Sequence, residues 1–159
     1  MMMPTLEDVT KDAPSATEAI ASLKPVYRGA FLRHGEHYKL NEEAVEKLRK
    51  YLDEYTVVAT FAEWCGDSRR AIPVLSHIEK ATDKRTMALT GMTKPPYGSD
   101  KLWDVPPSPK EVETFEVTSS PTILIFGPDG KEVGRIKTKA RMTSTIEEEI
   151  VKIIEDSVD

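Results

Sequence analysis

The chemistry in this chain gathers at Trp64-Cys65-Gly66-Asp67-Ser68. Cys65 is the only cysteine in 159 residues, and its thiolate would be a strong nucleophile. Before it, Thr56-Val57-Val58-Ala59-Thr60-Phe61-Ala62 is apolar at nearly every position and reads as a strand buried on both faces. After it, Ser68 to Ala81 reads as a helix with Ala71, Ile72, Leu75 and Ile78 on one side. Cys65 therefore falls at a strand-to-helix turn. There the first helical N–H groups lack internal partners and carry partial positive charge. That field favours an anion by about 0.3–1 kcal/mol. Direct hydrogen bonds from those N–H groups and from the Ser68 hydroxyl are expected to add to it. Asp67 opposes a thiolate; Arg69 and Arg70 favour one.

The surrounding composition is that of a globular chain, 39% hydrophobic and 31% charged. A net charge of −5 offers no overall basic field for nucleic acid. No apolar run approaches a membrane span, and Met1 to Ser15 lacks the pattern of a secretory signal. A single cysteine excludes an internal disulfide and points to a reducing, cytoplasmic setting. The expected organisation is a disordered tail over 1–15, an extension over 16–40 packed on the body, and a domain over 41–159.

The elements that must position Cys65 follow in order. Ala16 to Leu23 has weak helical spacing. Val26 to Leu40 is ambiguous, with Tyr27, Phe31, Leu32 and Tyr38 expected to pack inward. His34 and His37 lie there; a His-x-x-His pair can ligate metal, but an exposed turn beside Gly35 is the expectation and no metal site is assigned. Asn41 caps a helix through Leu52, with Val45, Leu48 and Leu52 on one face. Pro73 sits inside the helix after Cys65 and is expected to kink it. Arg85 to Gly91 reads as a further strand. Pro95, Pro96, Pro106, Pro107 and Pro109 make 93–114 irregular, either a rim beside Cys65 or a stiff connector, with Ser108 opening a short helix. Ser120-Pro121 precedes an apolar strand, Thr122 to Phe126, and suits a cis bond at a tight turn. Gly127-Pro128-Asp129-Gly130 turns the chain into an edge strand over Lys131 to Thr138. Ser144 and Glu147 form a capping box for the last helix.

Three of these features, in this order, resemble the thioredoxin superfamily. Phe61-Ala62-Glu63-Trp64-Cys65-Gly66 ends a buried strand, Pro73 interrupts the next helix, and Ser120-Pro121-Thr122 opens a strand that returns through Pro128-Asp129-Gly130 to Val133-Gly134-Arg135. The resemblance spans about residues 41–155. It implies a thioredoxin-like three-layer α/β/α fold, a central mixed sheet with helices on both faces. It also implies a site in which Cys65 and Ser68 occupy the catalytic positions while Trp64, Gly66, Asp67, Ser120 and Pro121 bind substrate. The departures are specific. Thioredoxins carry Cys-Gly-Pro-Cys where this chain has Cys65-Gly66-Asp67-Ser68. Their buried aspartate six residues before the first cysteine is Ala59 here, and the tryptophan three residues before Trp64 is Phe61.

What the resemblance leaves is half of a thiol–disulfide exchange. Cys65 can attack a disulfide, but Ser68 cannot resolve the mixed disulfide that forms. The expected partners are a protein disulfide or thiol, or a small-molecule thiol, with no cofactor, no nucleic acid, no membrane, and a monomeric chain. Two alternatives remain open: a non-catalytic binding module on the same fold, and a dithiol reductase whose second cysteine was replaced by Ser68. Cys-Gly-x-Ser also occurs in monothiol glutaredoxins, which can share an iron–sulfur cluster. This chain lacks their Gly-Gly-x-x-Asp pattern after Pro121. Glu63 is a candidate proton shuttle in place of the missing acid.

Overall fold

The computed structural model describes residues 3–95, 97, 103 and 105–158. Its elements are α1 (Ala16–Ala21), α2 (Pro25–Gly35), α3 (Glu42–Tyr51), β1 (Thr56–Thr60), α4 (Gly66–Thr82), β2 (Met87–Leu89), α5 (Lys110–Thr114), β3 (Thr122–Phe126), β4 (Glu132–Lys137) and α6 (Ile146–Ser157). The strands lie in the order β2-β1-β3-β4. The sheet is mixed for a simple reason. The α4 crossover returns the chain parallel to β1, setting Ala59 opposite Ala88, whereas β3 runs antiparallel to β1 and the Gly127–Gly130 turn sends β4 back against β3.

Alternation along the strands divides the core. Val57, Ala59, Phe61, Ile123, Ile125 and Ile136 face a large cluster built with α1, α2, α3, α4 and α6. Val58, Ala62, Leu124 and Phe126 face a smaller one, closed by Val9, Met92 and the Val112, Phe115 and Val117 side chains of the α5 region. The α/β layering is therefore lopsided: five helices on one face, and on the other the five-residue α5 with irregular chain. Two glycines allow the closest approaches. A Cβ on Gly35 would lie 2.8 Å from Pro73 Cβ, and one on Gly134 would lie 2.6 Å from Ile153 Cγ2. α4 runs as one helix through Pro73.

The first fifteen residues differ from the loose tail expected of them; Met1 and Met2 lie outside the described residues. Thr5 bridges Lys131, the Leu6 N–H donates to Gly130 O at 2.8 Å, and the Ala88 N–H donates to Pro14 O at 2.9 Å. Val9 and Ala13 are buried. The segment is polar in composition, but backbone groups at the sheet margin hold it, and composition does not report those. The ambiguous stretch after it becomes α2, opened by Pro25 at its first position. Phe31 is buried and Leu32 is exposed. His34 and His37 are exposed, and no third His, Cys, Asp or Glu joins them among the described residues.

Two expected caps are displaced. Thr145, not Ser144, caps α6 by accepting from the Glu148 N–H. This frees Glu147, fully buried, to accept from the Tyr38 hydroxyl at 2.7 Å and the Asn41 N–H at 2.9 Å. Ser108 does not cap α5, whose N-cap is Pro109; its hydroxyl is engaged elsewhere.

A second carboxylate, on α4, joins α1 to the chain entering β2. Glu79 accepts from the Ala16 and Thr17 N–H groups, the Thr17 hydroxyl, and both the N–H and hydroxyl of Thr86. Those two α1 donors are among the unpaired N–H groups at a helix start. Glu79→Ala is expected to cost about 3 kcal/mol, since several half-buried donors lose their acceptor. Glu79→Gln, which retains one acceptor oxygen, should cost roughly half as much. Urea denaturation of the two variants checks the order.

Candidate functional site

Cys65 is the N-cap of α4, with extended backbone at φ −83° and ψ 127°. Its N–H donates to Ala62 O at 3.1 Å, and its carbonyl accepts the Arg69 N–H at 3.3 Å. The side chain is half-buried. The thiol makes no capping bond to the helix N–H groups, contrary to the expectation from sequence. It points across to the loop before β3, where Sγ donates to Ser120 O at 3.4 Å. Ser68 also departs from expectation. It is fully buried, and its hydroxyl lies 3.2 Å from the Ser120 hydroxyl rather than bonding the sulfur. The Ser120 hydroxyl in turn accepts the Ala62 N–H at 3.0 Å. Ser120 thus holds the strand end, the helix start and the thiol together. The Ser120–Pro121 bond is cis.

The other site residues are placed as follows. Gly66 is exposed, with open space where a Cβ would stand. Asp67 pairs with Arg70 at 3.1 Å, so neither charge acts on the sulfur alone. Arg69 has a buried Nε without a hydrogen-bond partner among the described residues. Glu63 is half-buried at the strand end, and Ala59 is fully buried.

Trp64 remains 45% exposed because Trp103 covers only one side of it. The rings stack with centroids 5.8 Å apart and planes 15° apart. Trp103 and Cys65 pack on the same apolar cluster. Ser108 fastens this arrangement, accepting the Thr93 N–H and donating to Trp103 O, both at 2.7 Å. Trp103 therefore packs on the core and stacks on the residue before Cys65, so the irregular segment touches the site at that ring. Pro96, 98–102 and 104 lie outside the described residues.

A second loop meets the site from β4. The Thr138 N–H donates to Pro121 O at 2.8 Å, and Thr138 has φ +71°, uncommon for a β-branched residue. Glu149, 3% exposed, holds the loop by accepting from the Arg141, Met142 and Thr143 N–H groups and the Thr143 hydroxyl. Burial alone would raise its carboxyl pKa; those four donors outweigh it and hold the group below its ordinary value of 4.5. The sequence signal for this loop is a run of cations at alternate positions after Val133.

With this geometry in view, the comparisons with known proteins are direct. Residues 13–94, just over half of the chain, match the family described as thioredoxin, and the chain belongs to that family. Curated relatives include a thioredoxin of Chlamydia muridarum, 35% identical over 79 residues, covering 50% of this chain and 64% of the relative. Another is a thioredoxin of Chlamydia pneumoniae, 31% identical over 93 residues, covering 57% and 78%. The chain thus spans somewhat less than two thirds of the first of these relatives. Among solved structures, a protein of unknown function from Pseudomonas aeruginosa matches with TM-score 0.72 at 12% identity, covering 98% of this chain and 100% of that one. An HIV epitope-scaffold matches with TM-score 0.68 at 12% identity, covering 96% and 99%. At such identities the two structures speak for the fold alone. Among the described residues no helix is long and apolar enough to cross a membrane.

Two measurements follow. The chain has only two tryptophans and they stack, so far-ultraviolet circular dichroism should show an exciton couplet. Trp103→Ala should abolish it and remove a pair worth about 0.5–1.5 kcal/mol beyond its buried area. Glu149 has a lowered folded pKa, so its stabilisation is complete above pH 4.5 and is lost as pH falls through the folded value. The stability gap between wild type and Glu149→Gln should therefore be widest near neutrality and shrink in acid, as read by denaturation at stepped pH.

Proposed function

We propose that this protein carries out thioredoxin-type thiol–disulfide exchange with one thiol. The observation that carries the reading is the half-buried Cys65 sulfur at the α4 start, facing Ser120 O, while the hydroxyl at the second family position is tied up with Ser120 instead. In the forward step the Cys65 thiolate attacks one sulfur of a substrate disulfide. A Cys65–substrate disulfide forms, and the other substrate sulfur leaves as a thiolate. Ser68 cannot complete the cycle, because an alcohol near neutral pH is a poor nucleophile and this one is buried. An external thiolate, from the substrate or a small-molecule thiol, attacks the mixed disulfide, becomes the new disulfide partner and restores Cys65. The substrate groove under this reading is Trp64, Gly66, Asp67, Ser120 and Pro121.

A second reading has its own support. The position of the family's buried aspartate is a fully buried alanine, Ala59, so no carboxylate there can take the proton from the thiol. A binding module that keeps the groove without cycling fits that change.

Intact mass spectrometry after exposure to a disulfide peptide separates the two. The exchange reading expects a stable adduct in wild type and none in Cys65→Ser. It also expects Ser68→Cys to lose the adduct and gain insulin reduction by dithiol closure. Absence of any adduct with wild type leaves the binding module.

A further inference from the structure

Arg135, Lys137, Lys139 and Arg141 stand at alternate positions, and no acidic residue falls between Val133 and Ile146, although the whole chain carries −5. Arg135 is occupied by Glu132 at 2.6 and 2.7 Å. Lys137, Lys139 and Arg141 are exposed, and none forms an ion pair among the described residues. Their backbone is held firmly. Thr138 sits in the left-handed region, the Arg141 guanidinium donates to Lys137 O, and the buried Glu149 takes the N–H groups of the last three residues of the turn. A left-handed β-branched residue persists only where surrounding structure fixes it, and such positions cluster at functional sites. The Thr138 N–H bonds Pro121 O, one residue from the carbonyl that receives the Cys65 thiol.

We infer that the loop 137–141 is a docking surface for an acidic polypeptide segment that flanks the target disulfide. The inference rests on the exchange reading of Cys65 and adds the substrate class. A polypeptide fits better than a small anion because three cations spread over five positions match carboxylates spaced along a chain. At physiological salt, screening acts over about 8 Å, so the loop selects what lies beside the disulfide and not the partner's overall charge. The cations speed encounter and hold the segment, while the bond-making remains that of Cys65.

The test compares adduct formation rates at Cys65 for peptides of equal length. Each carries one cysteine in disulfide linkage to a neutral thiol and is flanked by glutamates, serines or lysines. The glutamate peptide should react about tenfold faster than the serine peptide at low salt, with the lysine peptide slowest, and the difference should collapse at high salt. The combined substitution Lys137→Gln, Lys139→Gln and Arg141→Gln should bring the glutamate-to-serine ratio near unity. The tryptophan couplet reports that the fold is kept. Equal rates for the three peptides in wild type overturn the inference, as does a glutamate preference that survives the substitution. An equal advantage for glutathione disulfide also overturns it, in favour of a small-anion site. If the serine peptide forms an adduct while the preference is missing, only the docking surface fails. If no peptide forms one, the exchange reading fails with it.

Discussion

The site depends on one serine. Ser120 presents its carbonyl to the Cys65 thiol and its hydroxyl to both the Ala62 N–H and the Ser68 hydroxyl. These bonds join the end of β1 and the start of α4 to the loop entering β3, 52 to 58 residues further along the chain. Ser68 and Ser120 are both buried, so a hydroxyl left without a partner there would cost about 1–3 kcal/mol. Each meets the other's need, which fixes Ser68 away from the sulfur and leaves the Ser120 carbonyl as the thiol's hydrogen-bond partner among the described residues.

The framework around this contact is acidic and uses its acids as fasteners. Glu79 closes α1 onto α4 and β2, Glu147 ties Tyr38 and Asn41 to α6, and Glu149 shapes the turn after β4. Glu111, fully buried, receives the N–H and hydroxyl of Thr10 and so pins the N-terminal segment to α5. At Glu149 the N–H donors stabilise the charged form. Four of the 27 acidic residues thus fasten the interior rather than only solvate the surface. Exposed acids remain along the helices, while Lys137, Lys139 and Arg141 are exposed in the loop whose Thr138 N–H bonds Pro121 O.

The family match and the site do not coincide in extent. The matched region, 13–94, contains Cys65 and the β1–α4–β2 unit and ends where the proline-rich segment begins. Ser120, Pro121 and the loop after β4 lie beyond it; Ser120 reaches Cys65, and that loop reaches Pro121, only because β3 pairs with β1 and β4 with β3. The proline-rich segment inserted between them contributes Trp103, which stacks on Trp64, the residue before Cys65.

The sequence by itself determined the local facts. The apolar run of β1 and the periodicity of α4 put Cys65 at a strand-to-helix turn, because both patterns are read within a few residues. The mixed sheet was implied by the resemblance those motifs carry to the thioredoxin superfamily, and the Pro128-Asp129-Gly130 turn marked its last hairpin. Tertiary structure decided where polar groups point. Ser68 is four positions from Trp64 but bonds Ser120, 52 residues along the chain. The thiol chose a carbonyl over the helix N–H groups beside it. Thr5 to Pro14 found backbone partners at the sheet margin despite a composition suited to a loose tail. Hydrogen-bond partners are selected by three-dimensional proximity and by the cost of burial without one, and neither quantity is carried by spacing along the chain.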